Sequence, residues 1–258
     1  MAEYKHKRYN TMISFPSNSN FTYEDFQPAP YENYHVDVVA VLDSVKSLFS
    51  NYFNLVDALP LSVKNNVPHR NAPETLRAQH IIYLVVDAVD ENGEPGCYWC
   101  QFIFQFAHEF CHYMIPKDII PIMRWFEEVI CELASHFFLL KSAEHWCVAP
   151  PYPNWKDYSD QITNYELNRK TQVIPFHIKD LWNPNSNILS SLQIAPEQRS
   201  INNYLSVKLL PYFIEQPSLW KIVQHMAAFQ PEYTFVENIK RLQLLSGEPI
   251  SDIMLRLS

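Results

Sequence analysis

Two imidazoles and a carboxylate stand close together in the segment His108-Glu109-Phe110-Cys111-His112. On a helix, positions i and i+4 project from nearly the same side, so His108 and His112 aim at one point. That is what a zinc ion requires of two of its ligands. Glu109 then sits about 100° round the helix from His108, where its carboxylate reaches water activated by the metal without binding the metal itself. A carboxylate so placed is a general base. The neighbours Phe106, Ala107, Phe110, Cys111, Tyr113 and Met114 are uncharged, as expected for a helix inside a core. Two histidines and a glutamate are costly to bury there without a partner, and a metal ion removes that cost. The competing reading is a half-exposed helix with solvated histidines, and Phe102-Ile103-Phe104 with Phe106 count against it.

The surrounding pattern supplies elements to hold this segment. Residues 102–114 form a helix that is apolar nearly all round and stops at Pro116. Residues 121–142 form a second, opened by Pro121 at a favourable first-turn position, with Trp125, Phe126, Val129, Ile130, Leu133 and Phe137 along it. Upstream, residues 34–57 are an amphipathic helix ended by Pro60. Residues 61–67 and 80–88 are strands, the second a β-branched run suited to a sheet interior. The turn signals Asn92-Gly93 and Pro95-Gly96 follow, with a short strand near 97–101 to complete a hairpin. Residues 1–31 are polar and punctuated by proline, an extended arm. After Trp146, a loop over 149–154 leads into mostly helical segments such as 200–213 and 217–228. The expected fold is α+β: residues 32–145 build a small sheet with the motif helix, and residues 146–258 a helical subdomain.

The segment His108–His112, with a turn-rich hairpin before it, resembles the zincin metallopeptidases over roughly residues 80–140. That resemblance implies Zn2+, a peptide or protein substrate, and Glu109 as the base. The second-histidine signature of the metzincins is missing after His112. The resemblance is therefore to the gluzincin group, which implies a glutamate ligand on a following helix. Two glutamates compete. Glu128 has an aromatic residue three before it, Cys131 three after and Glu132 four after, similar to the Trp-x-x-Glu-x-x-Ala-Glu helix of gluzincin aminopeptidases. Glu132 has Ser135 three after it, similar to the Glu-x-x-Ser pattern of the thermolysin family, but His136 stands where that pattern has an acid. Glu128 is preferred. The two are i,i+4 on one helix face, so periodicity does not separate them. The chain departs from the aminopeptidases in lacking a Gly-x-Met-x-Asn segment and in having Val129 where they have glycine. Zincins also place a Tyr or His against the developing oxyanion. Tyr204, Tyr212, His177 and His225 are the candidates, with Tyr204 preferred for its polar neighbours ahead of an apolar helix.

Composition removes other classes. Of 258 residues only three are glycine, so no glycine-rich phosphate loop is possible and no nucleotide cofactor is expected. The net charge is −8 and the one tight basic cluster is Lys5, Lys7 and Arg8, so nucleic acid is not an expected partner. No run of 18 apolar residues marks a membrane span, and the N-terminal residues have no apolar stretch of a secretory signal. Five cysteines in a chain this long do not make a disulfide framework. A cytoplasmic protein with reduced thiols is expected. Cys97-Tyr98-Trp99-Cys100 admits a redox reading, but seven residues separate Cys100 from His108, too few for a zinc finger. Two functions compete with peptide hydrolysis: a protein-binding module that kept a zincin fold, and a thiol redox protein. The intact Glu109 argues against the first, since a structural metal site has no use for a base.

Overall fold

The computed structural model describes residues 21–24, 26, 29, 31–53, 60–65, 71–87 and 98–258. Its sheet contains β1 (Phe21–Glu24), β2 (Leu61–Asn65), β3 (Glu74–Leu76) and β4 (Ile81–Leu84), in the order β1-β2-β4-β3. The first three in that order are parallel, and β3 runs antiparallel to β4 at the edge. Parallel neighbours need a crossover, and helix α1 (Tyr34–Phe49) supplies it between β1 and β2. Alternation buries Leu61, Val63, Ile82 and Leu84 on the face that meets the core, where α1 contributes Val38, Val41, Leu42, Val45 and Phe49. Two carboxamides extend the pairing past the strand ends. Asn65 bonds both the N–H and the carbonyl of Val86 at 2.9 Å, and Gln105 does the same to Val85 at 2.8 and 2.7 Å. Gln105 thereby ties the motif helix to the sheet.

That helix is α2 (Trp99–Met114), and α3 (Arg124–Trp146) packs along it. α2 ends at Ile115, which is extended because the following Pro116 disfavours helical backbone before it. α3 is entered through a 3-10 turn, Pro121–Met123. The Ser135 hydroxyl donates to the Phe104 carbonyl at 3.0 Å, while His108 meets Glu132 and His112 meets Glu127. These pairings run in opposite directions along the chain, so α2 and α3 are antiparallel. Aromatic rings fill the space around them: Phe49 stacks on Phe138 with centroids 3.6 Å apart, and Phe106 on Phe110 at 5.2 Å. Each such ring contributes about 1.5–3 kcal/mol on burial, which fixes the helices firmly enough to position polar side chains between them.

The remaining helices are α4 (Tyr158–Thr171), α5 (Asn187–Ile194), α6 (Arg199–Glu215), α7 (Ile222–His225), α8 (Phe235–Ser246) and α9 (Ile250–Leu257). α6 is fastened to α3 by the Ser206 hydroxyl, which donates to the Val129 carbonyl at 2.7 Å. α8 opens on a capping box between Thr234 and Glu237 and closes at Gly247, whose φ of 72° favours a residue without a Cβ. One apolar cluster runs from Phe26 to Met254. The fold is α+β, a small mixed sheet with mostly helical surroundings. No described helix is long and apolar enough to cross a membrane.

Several elements differ from the sequence pattern. The helix expected over 34–57 ends at Phe49, because the chain turns at Ser50 and brings Phe53 back onto the Phe49 ring at 5.2 Å. Residues 54–57 lie outside the described residues. The strand expected near 97–101 is instead the first turn of α2 from Trp99, since Trp99, Phe102, Ile103 and Phe106 continue the helical spacing into the core. The turn at 90–96 and Cys97 lie outside the described residues. The strand expected over 80–88 is paired only at 81–84, where His80 takes left-handed backbone with φ of 55° to turn the chain from β3. The segment 217–228 is a 3-10 turn, the four-residue α7 and a second 3-10 turn. Phe21–Glu24, within the expected arm, is a strand of the sheet, and β3 had no counterpart among the expected elements.

Candidate metal centre

Between α2 and α3, the Nε2 atoms of His108 and His112 lie 3.2 Å apart. The Glu128 carboxylate faces both, one oxygen 3.3 Å from His108 Nε2 and the other 3.4 Å from His112 Nε2. Four-coordinate zinc with bonds of 2.0–2.1 Å sets its ligand atoms about 3.3–3.4 Å from one another. The two imidazole nitrogens are close to that spacing, and the two Glu128 distances are to different carboxylate oxygens. One ligand atom from each of His108, His112 and Glu128 lies within 4.8 Å of the others, a group that could hold a metal ion.

The outward nitrogens are also engaged. His112 Nδ1 lies 2.7 Å from Glu127, and His108 Nδ1 lies 3.5 Å from Glu132. A ligating imidazole that gives its other N–H to a carboxylate has its tautomer and ring orientation fixed. Glu132, the competing ligand, thus faces the far side of His108, while Glu128 faces the near side. Glu127 is held in turn by Arg77, whose Nε donates to the His112 carbonyl at 2.8 Å and whose other terminal nitrogen bonds Asp118 at 2.9 Å. Glu132 is approached by Arg169 at 3.5 Å.

Glu109 is buried, and its Oε2 lies 2.8 Å from the Thr75 hydroxyl, which is equally close to the Glu109 carbonyl. It shares a cavity of about 490 Å³ with the two histidines and Glu128. β3 and its flanks line one side through Thr75 and Arg77. Tyr165 and Arg169 of α4, with Arg199 and Asn202 of α6, line another. Tyr204, Tyr212, His177 and His225 are not among the lining residues. Tyr204 packs edge-on against Phe176 at 5.3 Å instead. Tyr165, unmarked in the sequence, is the tyrosine that reaches the cavity, and burial pushes its hydroxyl up to about 12. Glu127, Thr75 and Arg77 were likewise unmarked. Glu127 had one signal, since the second nitrogen of each imidazole ligand needs an acceptor.

The charges decide what this site does without metal. Burial alone would push the His108 imidazole down, but Glu128 and Glu132 outweigh it and lift it from the usual 6.5 to about 10. His112 is also raised, against burial, by Glu128 and Glu127. Burial would raise Glu128, yet the two imidazoles hold it well below the usual carboxylate range. Protons on the imidazoles therefore neutralise the acids when no cation does. An imidazole raised in the fold adds stability in full below its unfolded value of 6.5 and loses it as pH climbs from there towards about 10. Glu128, lowered in the fold, adds stability above its unfolded 4.5 and loses it as pH falls below that. Melting of the metal-free protein is expected to peak between these values and to decline steadily above 6.5. Added zinc should reverse the trend, because ligands must be deprotonated to bind it. Thermal melts from about pH 5 to about pH 9, with and without zinc, measure both. Metal-free protein that gains stability on going to the alkaline end contradicts the assignment.

Among known proteins, no family model, no curated protein and no solved structure matches this chain.

Proposed function

We propose that the chain is a zinc-dependent peptidase of gluzincin type, with His108, His112 and Glu128 holding the metal and Glu109 as general base. The observation that carries this reading is the convergence of one ligand atom each from His108, His112 and Glu128 within 4.8 Å of one another, in a cavity that also contains a buried carboxylate one residue from a ligand. A zinc ion held there would polarise the substrate carbonyl and acidify water. Glu109 takes the proton from that water and passes it to the leaving amine. Thr75 holds Oε2 and so leaves Oε1 to carry the proton. Glu127 and Glu132 keep the two imidazoles turned inward. Tyr165 lines the same cavity and keeps its hydroxyl proton at physiological pH, which suits it to donate to the developing oxyanion. The cavity, about 490 Å³, is within the range that accommodates a small ligand or a short peptide segment. We assign the protein to the cytoplasm: Cys100, Cys111, Cys131 and Cys147 are free, as suits a reducing compartment. Burial raises the Cys100 thiol, which disfavours the thiolate a redox role needs.

The test is elemental analysis of the purified protein, where about one zinc per chain is expected for a single three-ligand site, followed by hydrolysis of a mixed peptide library. Protein that is isolated without metal and stays inert when zinc is added back rules out the assignment.

A further inference from the structure

α4 forms a wall of the cavity through Tyr165 and Arg169. Its apolar attachment is one aliphatic side chain and two half-buried tyrosines, Tyr158 against Trp146 at 5.9 Å and Tyr165 against Phe104 at 6.0 Å. Of its fourteen residues only Ser159, Ile162 and Glu166 are buried, and Ile162 is the one aliphatic side chain among them. Polar contacts add to these. Glu166 is completely buried, with one carboxylate oxygen 3.3 Å from Nδ1 of the equally buried His136 on α3 and 2.9 Å from Lys170 Nζ. Neither oxygen has a well-formed hydrogen bond, and neither does His136 Nδ1.

The far side of the imidazole fixes its proton. His136 Nε2 lies 2.7 Å from Asn203 Oδ1. The Asn203 amide nitrogen donates to the carbonyls of Arg169 and Gln172, at 2.8 and 3.1 Å, so its oxygen must face His136, and Nε2 must be the donor. The remaining nitrogen confronts the carboxylate. A buried carboxylate set against an imidazole without a good hydrogen bond is a weak fastening compared with packed apolar surface. Elements with few buried apolar contacts lie at the low end of local opening free energies. Arg169 adds a contact over the Phe104 ring at 4.5 Å, and its guanidinium approaches Glu132, the carboxylate that orients His108.

We propose that α4 is a movable wall, latched to α3 by the Glu166–His136 contact, and that its closing brings Arg169 onto Glu132. Opening widens the cavity on the side away from β3 and frees Glu132 from Arg169. The inference depends neither on a bound metal nor on catalysis, and it is tested on the full-length, metal-free chain by hydrogen exchange read by mass spectrometry. In the parent protein, amides of α4 are expected to exchange at least about tenfold faster than those of α2 and α3. Glu166→Gln should speed α4 by a further factor of about ten or more while leaving α2 and α3 unchanged. The paired replacement Glu166→Leu with His136→Leu exchanges the buried polar contact for an apolar one and should slow α4 below the parent rate. If α4 exchanges in step with α3 in the parent, or if Glu166→Gln accelerates all three helices alike, α4 is not a separate unit. Should Glu166→Gln fail to fold, the paired variant decides, and an α4 no slower than in the parent overturns the latch.

Discussion

Glu109→Gln is expected to keep about one zinc per chain and to lose nearly all peptide hydrolysis. Glutamine has almost the shape of glutamate, and the Thr75 hydroxyl can donate to its amide oxygen as it does to Oε2. Glu109 is not in the group of His108, His112 and Glu128 that faces the metal position, so metal content should not change. What the amide cannot do is accept a proton from the attacking water. Loss of a general base costs about 10²–10⁴ in rate. His112→Ala should lose metal and hydrolysis together, which separates the two roles. Zinc content by elemental analysis and turnover of a broad peptide library measure the outcome. Undiminished hydrolysis by Glu109→Gln removes it from the role of base. A parent protein with full zinc and no hydrolysis would favour the binding-module alternative.

The second large effect is expected at Glu128. Its carboxylate faces the near nitrogens of both imidazoles, while Glu132 and Glu127 face the far ones. Removing a carboxylate that only orients a ligand costs about 10–100-fold in metal affinity. Glu132→Ala and Glu127→Gln should fall in that range, and Glu128→Ala should exceed it. Competition against a fluorescent zinc chelator ranks the three. If Glu132→Ala loses more affinity than Glu128→Ala, the thermolysin-like spacing was the better guide to the third ligand.

The sequence carried the helices that bear this site because their periodicity is long and regular. The competition between Glu128 and Glu132 was beyond it for a physical reason. Both lie on one face of α3, and what distinguishes them is the rotation and register of α3 against α2. Contacts that no single-helix pattern contains set that register, such as Ser135 to the Phe104 carbonyl and the Cys111 thiol near the Ile130 carbonyl at 4.0 Å. Thr75 was hidden because β3 has three residues, too few for alternation to appear. Tyr204 was singled out for its neighbours Asn202 and Asn203, but those amides serve the fold. Asn202 binds the Pro196 carbonyl at 2.6 Å, and Asn203 bridges His136 and the end of α4. Their polarity marks a buried helix junction, with Tyr204 turned to Phe176.

Thr75 and Arg77 stand two residues apart across the end of β3, yet they serve opposite sides of the chemistry. Thr75 holds the carboxylate assigned to move protons, and Arg77 holds Glu127, which steers a metal-facing imidazole. Glu109 and the Glu127–His112 pair are therefore gauged from one short piece of backbone rather than from two independent ones. A one-residue shift of β3 against β4 would turn Thr75 to the other face of the sheet and displace Arg77 in the same motion. Changes of length between residues 71 and 80 are for that reason expected to disrupt both arrangements at once. Variation compatible with the site has to come as substitution at fixed length, on the far walls of the cavity.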